Sequence, residues 1–175
     1  CEYARSFHHL SPWRVALTNV DAEHPDTYPG GLPEVTESFA RFLGACGSEG
    51  RIFASPEAPD LTPCTRAAWS VAPALPADWS VGLPGAHNRR NGALVAEVLR
   101  GFGLEEADVR AALADFRGCA RRLEQVGTRR GALIVSDYAH HPVEMRATLQ
   151  AAREMWPTRR FFVVLQPHQA QRFHA

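Results

Sequence analysis

The apolar positions along this chain change period several times, and each change marks an element. Trp13 to Val20 (WRVALTNV) reads as a strand, and Asp21 to Gly31 as a loop rich in acids, proline and glycine. Leu32, Val35, Phe39, Phe42, Leu43 and Cys46 then recur at the 3.6-residue period of an amphipathic helix, which Gly47 closes. Arg51 to Ala54 is expected to be the next strand, followed by a Pro-rich exposed loop from Ser55 to Pro63. Ala67–Val71 and Trp79–Leu83 are expected to be short strands with a Pro-rich link between them. A helix opening at Gly85 carries Leu94, Val95, Val98, Leu99 and Phe102 on one side and ends at Gly103. A second helix turns Val109, Ala112, Leu113 and Phe116 inward.

The remainder of the chain reads as strand, helix, strand. Ala132 to Val135 is a short run of β-formers behind Gly131. Pro142 suits the first turn of a helix, where its missing N–H costs nothing. Met145, Leu149, Ala152 and Trp156 follow on one helical face until Pro157, and Phe161–Leu165 (FFVVL) reads as a buried strand. Such βαβ units make parallel sheets, so the expectation is an α/β fold with a mostly parallel sheet covered by helices. Asp137, Tyr138, His140 and His141 fall where the first of these strands ends, and His168 and Arg172 lie just beyond the second. In open α/β sheets the ligand crevice lies outside the carboxyl ends of the strands. This predicts Asp137, His141 and His168 on one edge of one parallel sheet. The turn around Gly118 is the expected domain boundary, dividing residues 1–118 from 119–175.

Composition narrows the class of partner. Of the 175 residues, 45% are hydrophobic and 22% charged, an ordinary composition for a globular chain. Basic and acidic residues both number 19, so net charge gives no sign of nucleic acid or a membrane surface. All the basic residues are arginine, which suits bidentate anion contacts, although a GC-rich genome explains it equally well. Cysteines at 1, 46, 64 and 119 form no close pair, which suggests neither zinc nor a disulfide framework and is read as a reducing cytoplasm. No apolar run approaches the length of a membrane span. The chain opens at Cys1 without Met and stops just after a polar cluster, and is expected to be a fragment of a longer protein.

Several clusters could carry chemistry. Asp21, Glu23, His24 and Asp26 place one imidazole among carboxylates after a strand, as a hard cation would want; the alternative is a solvated acidic loop. Asn88 and Asn91 stand one helical turn apart beside His87, and their carboxamides offer the donor and acceptor a purine edge needs, although asparagine is also a strong helix cap. Arg121 and Arg122 sit in a glycine-flanked turn and could clamp a phosphate, or simply be solvated. Asp137 could accept hydrogen bonds from a ribose. His140 and His141 could meet a carboxylate or phosphate, or cap the helix that follows.

In order and spacing these segments resemble the Mur ligase family. The matching stretches are CEYARSFHHLSP (1–12), TNVDAEHPDTY (18–28), GAHNRRN (85–91), GCARRLEQVG (118–127), SDYAHHPVE (136–144) and QPHQAQR (166–172). The resemblance implies the second half of a central ATPase domain (1–118) followed by the first half of a Rossmann-like C-terminal domain (119–175). It implies ATP and Mg²⁺ as cofactors, UDP-N-acetylmuramate and L-alanine as substrates, and amide formation through an acyl phosphate in peptidoglycan precursor synthesis. It implies no nucleic-acid or membrane partner and leaves the oligomeric state open. Carried over by position, His24 is the metal ligand, and His87, Asn88 and Asn91 are the adenine-side residues. Arg122 reaches the phosphates and Asp137 holds the nucleotide, while His141, His168 and Arg172 lie near a substrate carboxylate. The chain departs from the family pattern in three places. It has no glycine-rich loop with Lys and Thr. Glu2 matches the second acidic position of the metal motif and not the first. Gln169-Ala170 stands where the family often has Arg-Tyr. Two rivals are a sibling ligase that attaches a whole tripeptide to the same sugar nucleotide, and a non-catalytic nucleotide-binding module.

Overall fold

The structure is a computed structural model that describes residues 4–166. The chain divides into two compact units. One takes the chain as far as Pro76 together with Arg90–Val109, and the other takes Ala77–Arg89 together with the chain from Arg110 onward.

The first unit is built on a three-stranded parallel sheet, β1 (Arg14–Leu17), β2 (Arg51–Ala54) and β3 (Ala68–Val71), in that order. Arg14 pairs with Arg51 and Arg51 with Ala68, so the three strands run in step. Helix α1 (Leu32–Gly44) is the crossover between β1 and β2, as a parallel pair requires. Successive residues of β2 point to opposite faces. Ile52 packs with Leu17, Leu43 and Cys46 on the α1 side, and Phe53 packs with Ala72, Leu94 and Val98 on the other. Leu94 and Val98 belong to α2 (Ala86–Gly101), whose residues from Arg90 onward lie in this unit. The sheet is therefore covered on both faces, and burial pushes the Cys46 thiol up from its usual range. The strand expected over Trp13–Val20 stops at Leu17, and the acidic loop begins there as irregular backbone.

In the second unit, β4 (Glu124–Arg129) and β5 (Ala132–Ser136) form an antiparallel hairpin closed by Arg130 and Gly131. Both turn residues have positive φ, 49° and 79°, the geometry a two-residue hairpin turn needs. A register irregularity between Gln125 and Gly127 bends β4. Helix α3 (Glu106–Asp115) enters this unit at Arg110, and α4 (Pro142–Met155) buries Ala151 and Ala152.

This hairpin corrects the parallel βαβ unit expected at residues 132–165. β5 pairs antiparallel with β4, and Phe161–Leu165 is not a strand. β4 reads EQVGTR, exposed at every position, and its ladder rests on backbone bonds that no hydrophobic period announces. The apolar run that looked like the partner strand leaves Phe162 81% and Val164 94% exposed. Trp79–Leu83 is not a strand either: Trp79 is buried as a single anchor, and Gly82 N–H bonds to the Leu113 carbonyl.

Candidate functional site

His24 sits in a tight turn after β1, with φ at 54°. Its carbonyl accepts the N–H groups of both Thr27 and Tyr28, at 2.9 and 2.8 Å. Its Nε2 lies 3.7 Å from Glu23 Oε2. The turn is held from outside by Arg5. The Arg5 guanidinium donates to the Thr27 carbonyl at 2.8 Å and to Glu34 Oε1 at 2.5 Å, and covers the Tyr28 ring at 4.6 Å. Glu34 Oε2 in turn accepts the Gly30 N–H at 2.9 Å. That backbone bond, and then the Arg5 guanidinium, hold the Glu34 carboxyl below the usual carboxylate range. Tyr28 is buried, its hydroxyl 3.3 Å from Ser38 Oγ, which also meets His8 Nε2 at 2.9 Å. Arg5 and Glu34 were not singled out from the sequence. They meet across 29 residues, and the one local signal was that Arg5 falls within the 1–12 match.

As a cation site this region is incomplete. Among the described residues no group of three or more His, Cys, Asp or Glu side chains is arranged to hold a metal ion. His24 with Glu23, 3.7 Å apart, does not supply the oxygen shell Mg²⁺ demands.

At the start of α2, Asn88 Nδ2 donates to the Pro84 carbonyl at 2.6 Å, tying the helix to the loop before it. That spends one carboxamide donor and leaves Oδ1 as the acceptor such a residue can offer a ligand. Asn91 follows one turn later and is exposed. Gly85 has φ at 97°, and a Cβ there would lie 2.8 Å from Ala151 Cβ of α4. The approach to α2 therefore depends on that glycine.

The second unit brings Arg122 and Asp137 together. Residues 119–123 form a turn in which Arg122 N–H bonds to the Cys119 carbonyl, and Arg121 and Leu123 both have positive φ, 58° and 48°. Asp137 closes this turn: its Oδ2 accepts the Leu123 N–H at 2.8 Å. Its Oδ1 accepts the Ala139 N–H at 2.8 Å and the Thr148 hydroxyl at 3.2 Å. Tyr138 N–H donates to the Arg121 carbonyl at 2.8 Å, and the guanidiniums of Arg121 and Arg122 lie 4.5 and 5.8 Å from the centre of the Tyr138 ring. His141 caps α4. Its Nδ1 accepts the Val143 N–H at 3.4 Å while Glu144 reaches back to the His140 and His141 amides, a reciprocal capping box. His87 lies in the first turn of α2. His168 and Arg172 lie outside the described residues.

The chain is similar to known proteins along most of its length. The Mur ligase glutamate ligase domain model matches residues 121–175. A UDP-N-acetylmuramate–L-alanine ligase of Acidithiobacillus ferrooxidans is 35% identical over 97% of this chain and 44% of its own length. Among solved structures, a UDP-N-acetylmuramate–alanine ligase from Thermotoga maritima aligns with a TM-score of 0.68 at 23% identity, covering 88% of this chain and 41% of that one. A murein peptide ligase from Psychrobacter arcticus aligns with a TM-score of 0.66 at 22% identity, covering 93% of this chain and 39% of that one. The chain thus spans less than half the length of the relatives it matches.

Proposed function

We propose that this chain, which belongs to the Mur ligase family, carries the adenine-side and arginine-side portions of an ATP-dependent ligase joining L-alanine to UDP-N-acetylmuramate. The observation that carries this reading is the 35% identity to a ligase of that name across 97% of the chain. In the proposed reaction, a carboxylate oxygen of UDP-N-acetylmuramate attacks the γ-phosphorus of ATP, and ADP leaves. The alanine amine then attacks the acyl phosphate carbon, the C–O bond to phosphate breaks, and the amine proton passes to solvent or a base. Activation is required because a carboxylate is a poor electrophile, and the transfer depends mostly on positioning and on cationic groups around the moving phosphoryl.

In this reading Asn88 and Asn91, with His87 beside them, meet the adenine. Arg122 stabilises charge on the phosphates and Asp137 lies at the ribose. His141, His168 and Arg172 lie near a substrate carboxylate. By the family pattern His24 would be one ligand of Mg²⁺, which would screen the phosphate charge. Precursor synthesis from soluble nucleotides belongs to the bacterial cytoplasm, and no helix among the described residues is long and apolar enough to cross a membrane. The 175 residues contain no Gly-Lys-Thr phosphate loop, so by themselves they are expected to release no ADP.

A second reading is attachment of a whole tripeptide to the same sugar nucleotide, since a murein peptide ligase shares this fold. One experiment separates them. The complete gene product is incubated with ATP, Mg²⁺ and UDP-N-acetylmuramate, with either L-alanine or the tripeptide, and ADP release is followed. Turnover with alanine supports the first reading, turnover only with the tripeptide supports the second, and turnover with neither overturns both.

A further inference from the structure

The turn that presents Arg122 is strained and has to be held. Arg121 and Leu123 both occupy the left-handed region with side chains that disfavour it, φ 58° and 48°. Such a turn persists only where its surroundings over-determine it. Asp137 supplies one tie through the Leu123 N–H, and Glu124 supplies another by accepting the Arg121 N–H at 2.8 Å. Neither touches a guanidinium. The residue that meets both the backbone of the turn and the arginine side chains is Tyr138.

We propose that Tyr138 is a positioning residue for Arg122. Its N–H fixes the Arg121 carbonyl at 2.8 Å, and its ring is the platform on which the Arg121 guanidinium rests at 4.5 Å, with that of Arg122 at the edge of the same platform at 5.8 Å. An aromatic face attracts a guanidinium through its quadrupole and leaves the in-plane N–H donors free, so the platform orients the fork without consuming the donors a phosphate would take. The far side of the arrangement is braced as well. The His140 ring meets Tyr138 edge-on at 5.1 Å, and its Nδ1 bonds to the Tyr138 carbonyl at 2.9 Å. Tyr138 is 46% exposed, so it is not a core residue whose aromatic character burial would explain. The device is thus the ring face together with the backbone amide, and the phenol hydroxyl takes no part.

The catalytic consequence rests on the ligase reading above; the hold on the turn does not. The test uses the complete gene product with Y138F and Y138L. Y138F keeps the ring and the amide, while Y138L keeps apolar bulk and the amide but removes the π face. Hydrogen exchange of the peptide covering residues 119–124 is measured first, without nucleotide. We expect Y138L to exchange faster by about 5-fold and Y138F to match wild type, the scale of one exposed cation–π contact. In steady state we expect Y138L to lower kcat about 3- to 10-fold with the KM for UDP-N-acetylmuramate unchanged, and Y138F to stay within about 2-fold of wild type. Unchanged exchange in Y138L overturns the proposal. So does a Y138F variant as impaired as Y138L, which would place the role in the hydroxyl, and so does an unchanged kcat in Y138L. A wild-type protein that exchanges as expected but turns over neither substrate pair refutes the ligase reading and leaves the exchange comparison to decide the hold.

Discussion

Phe53 and Gly101 are matched in size, and substituting both should cost less than the sum of the two single changes. Phe53, in the middle strand of the parallel sheet, is 1% exposed and packed by Ala72, Leu94 and Val98. Gly101 is the last residue of α2, and a Cβ built there would lie 2.6 Å from Phe53 Cε1 and closer still to Cζ. Carbon atoms in contact sit about 3.5–4.0 Å apart, so in G101A the ring edge must retreat by roughly 1 Å. The packed surroundings leave it nowhere to go, and overpacking of this kind costs about 1–3 kcal/mol. Alanine's better helix propensity returns at most about 1 kcal/mol and less at a helix end. The expected net loss for G101A is about 1–2 kcal/mol. F53L removes the ring edge and leaves a partial cavity, also about 1–2 kcal/mol. In the double variant the new methyl fills the space the ring vacated, so the coupling should favour the pair by about 1–2 kcal/mol. The assay is hydrogen exchange of the β2 amides across a urea series, which reports opening of the first unit without assuming that the whole chain unfolds in one step. Additivity of the two changes within about 0.5 kcal/mol would refute the reasoning, because it would mean that the ring and the helix end do not share that space.

Two further outcomes concern the candidate site. R122A in the complete gene product should lower kcat about 100-fold while leaving the KM for UDP-N-acetylmuramate nearly unchanged, since a cation acting on developing phosphate charge contributes mainly in the transition state; steady-state kinetics with unchanged turnover and a raised KM would contradict that role. E34Q should destabilise the Thr27–Gly30 turn at neutral pH. Glu34's folded-state pKa lies below its unfolded value, so its contribution is complete above the unfolded value and is lost as pH falls through the folded one. The gap in thermal stability between wild type and E34Q should therefore hold from pH 7 down to about 4.5 and close below it, and a gap that widens on acidification would exclude this origin.

The sequence was most readable where burial sets a period. β2 follows from Arg51–Ala54, and the helical spacing in α1 and α2 is right for Leu43, Leu94 and Val98, which find the core, while Leu32, Val95 and Phe102 stay exposed. It was least readable where the backbone alone does the pairing. β4 carries one apolar residue, Val126, and its ladder with β5 carries no hydrophobic signature. Phe161–Leu165 shows the converse: five apolar residues in a row suggest a strand but do not require one. At the candidate site, the sequence placed Asp137 at a strand end and His141 at a helix start, and both positions hold. It offered His141 as a helix cap, but it could not show that Asp137 would be tied to a backbone amide, because its partner Leu123 lies 14 residues away.

The turns at His24 and at Arg122 are built on the same principle, and that bears on how substitutions near them should be read. Among the described residues, five non-glycine positions have positive φ, and three of them, His24, Arg121 and Leu123, belong to these two turns. Each costs on the order of 1–2 kcal/mol relative to ordinary backbone. In both places a carboxylate on a neighbouring segment accepts an amide of the turn or of the residues that close it: Glu34 from Gly30, and Asp137 from Leu123. In both an arginine lies over a tyrosine, Arg5 over Tyr28 and Arg121 over Tyr138. A carboxylate so engaged can abolish activity when removed without ever touching a substrate, since its loss releases the strained turn. Loss of function in an alanine variant of Asp137 therefore does not identify a ribose contact. The discriminating measurement sets exchange beside nucleotide binding in Asp137→Asn, where an NH2 replaces the Oδ2 that accepts the Leu123 N–H while Oδ1 remains for the Ala139 N–H and the Thr148 hydroxyl. Unchanged exchange of residues 119–124 together with weakened nucleotide binding would assign Asp137 to the ligand, and faster exchange would assign it to the turn.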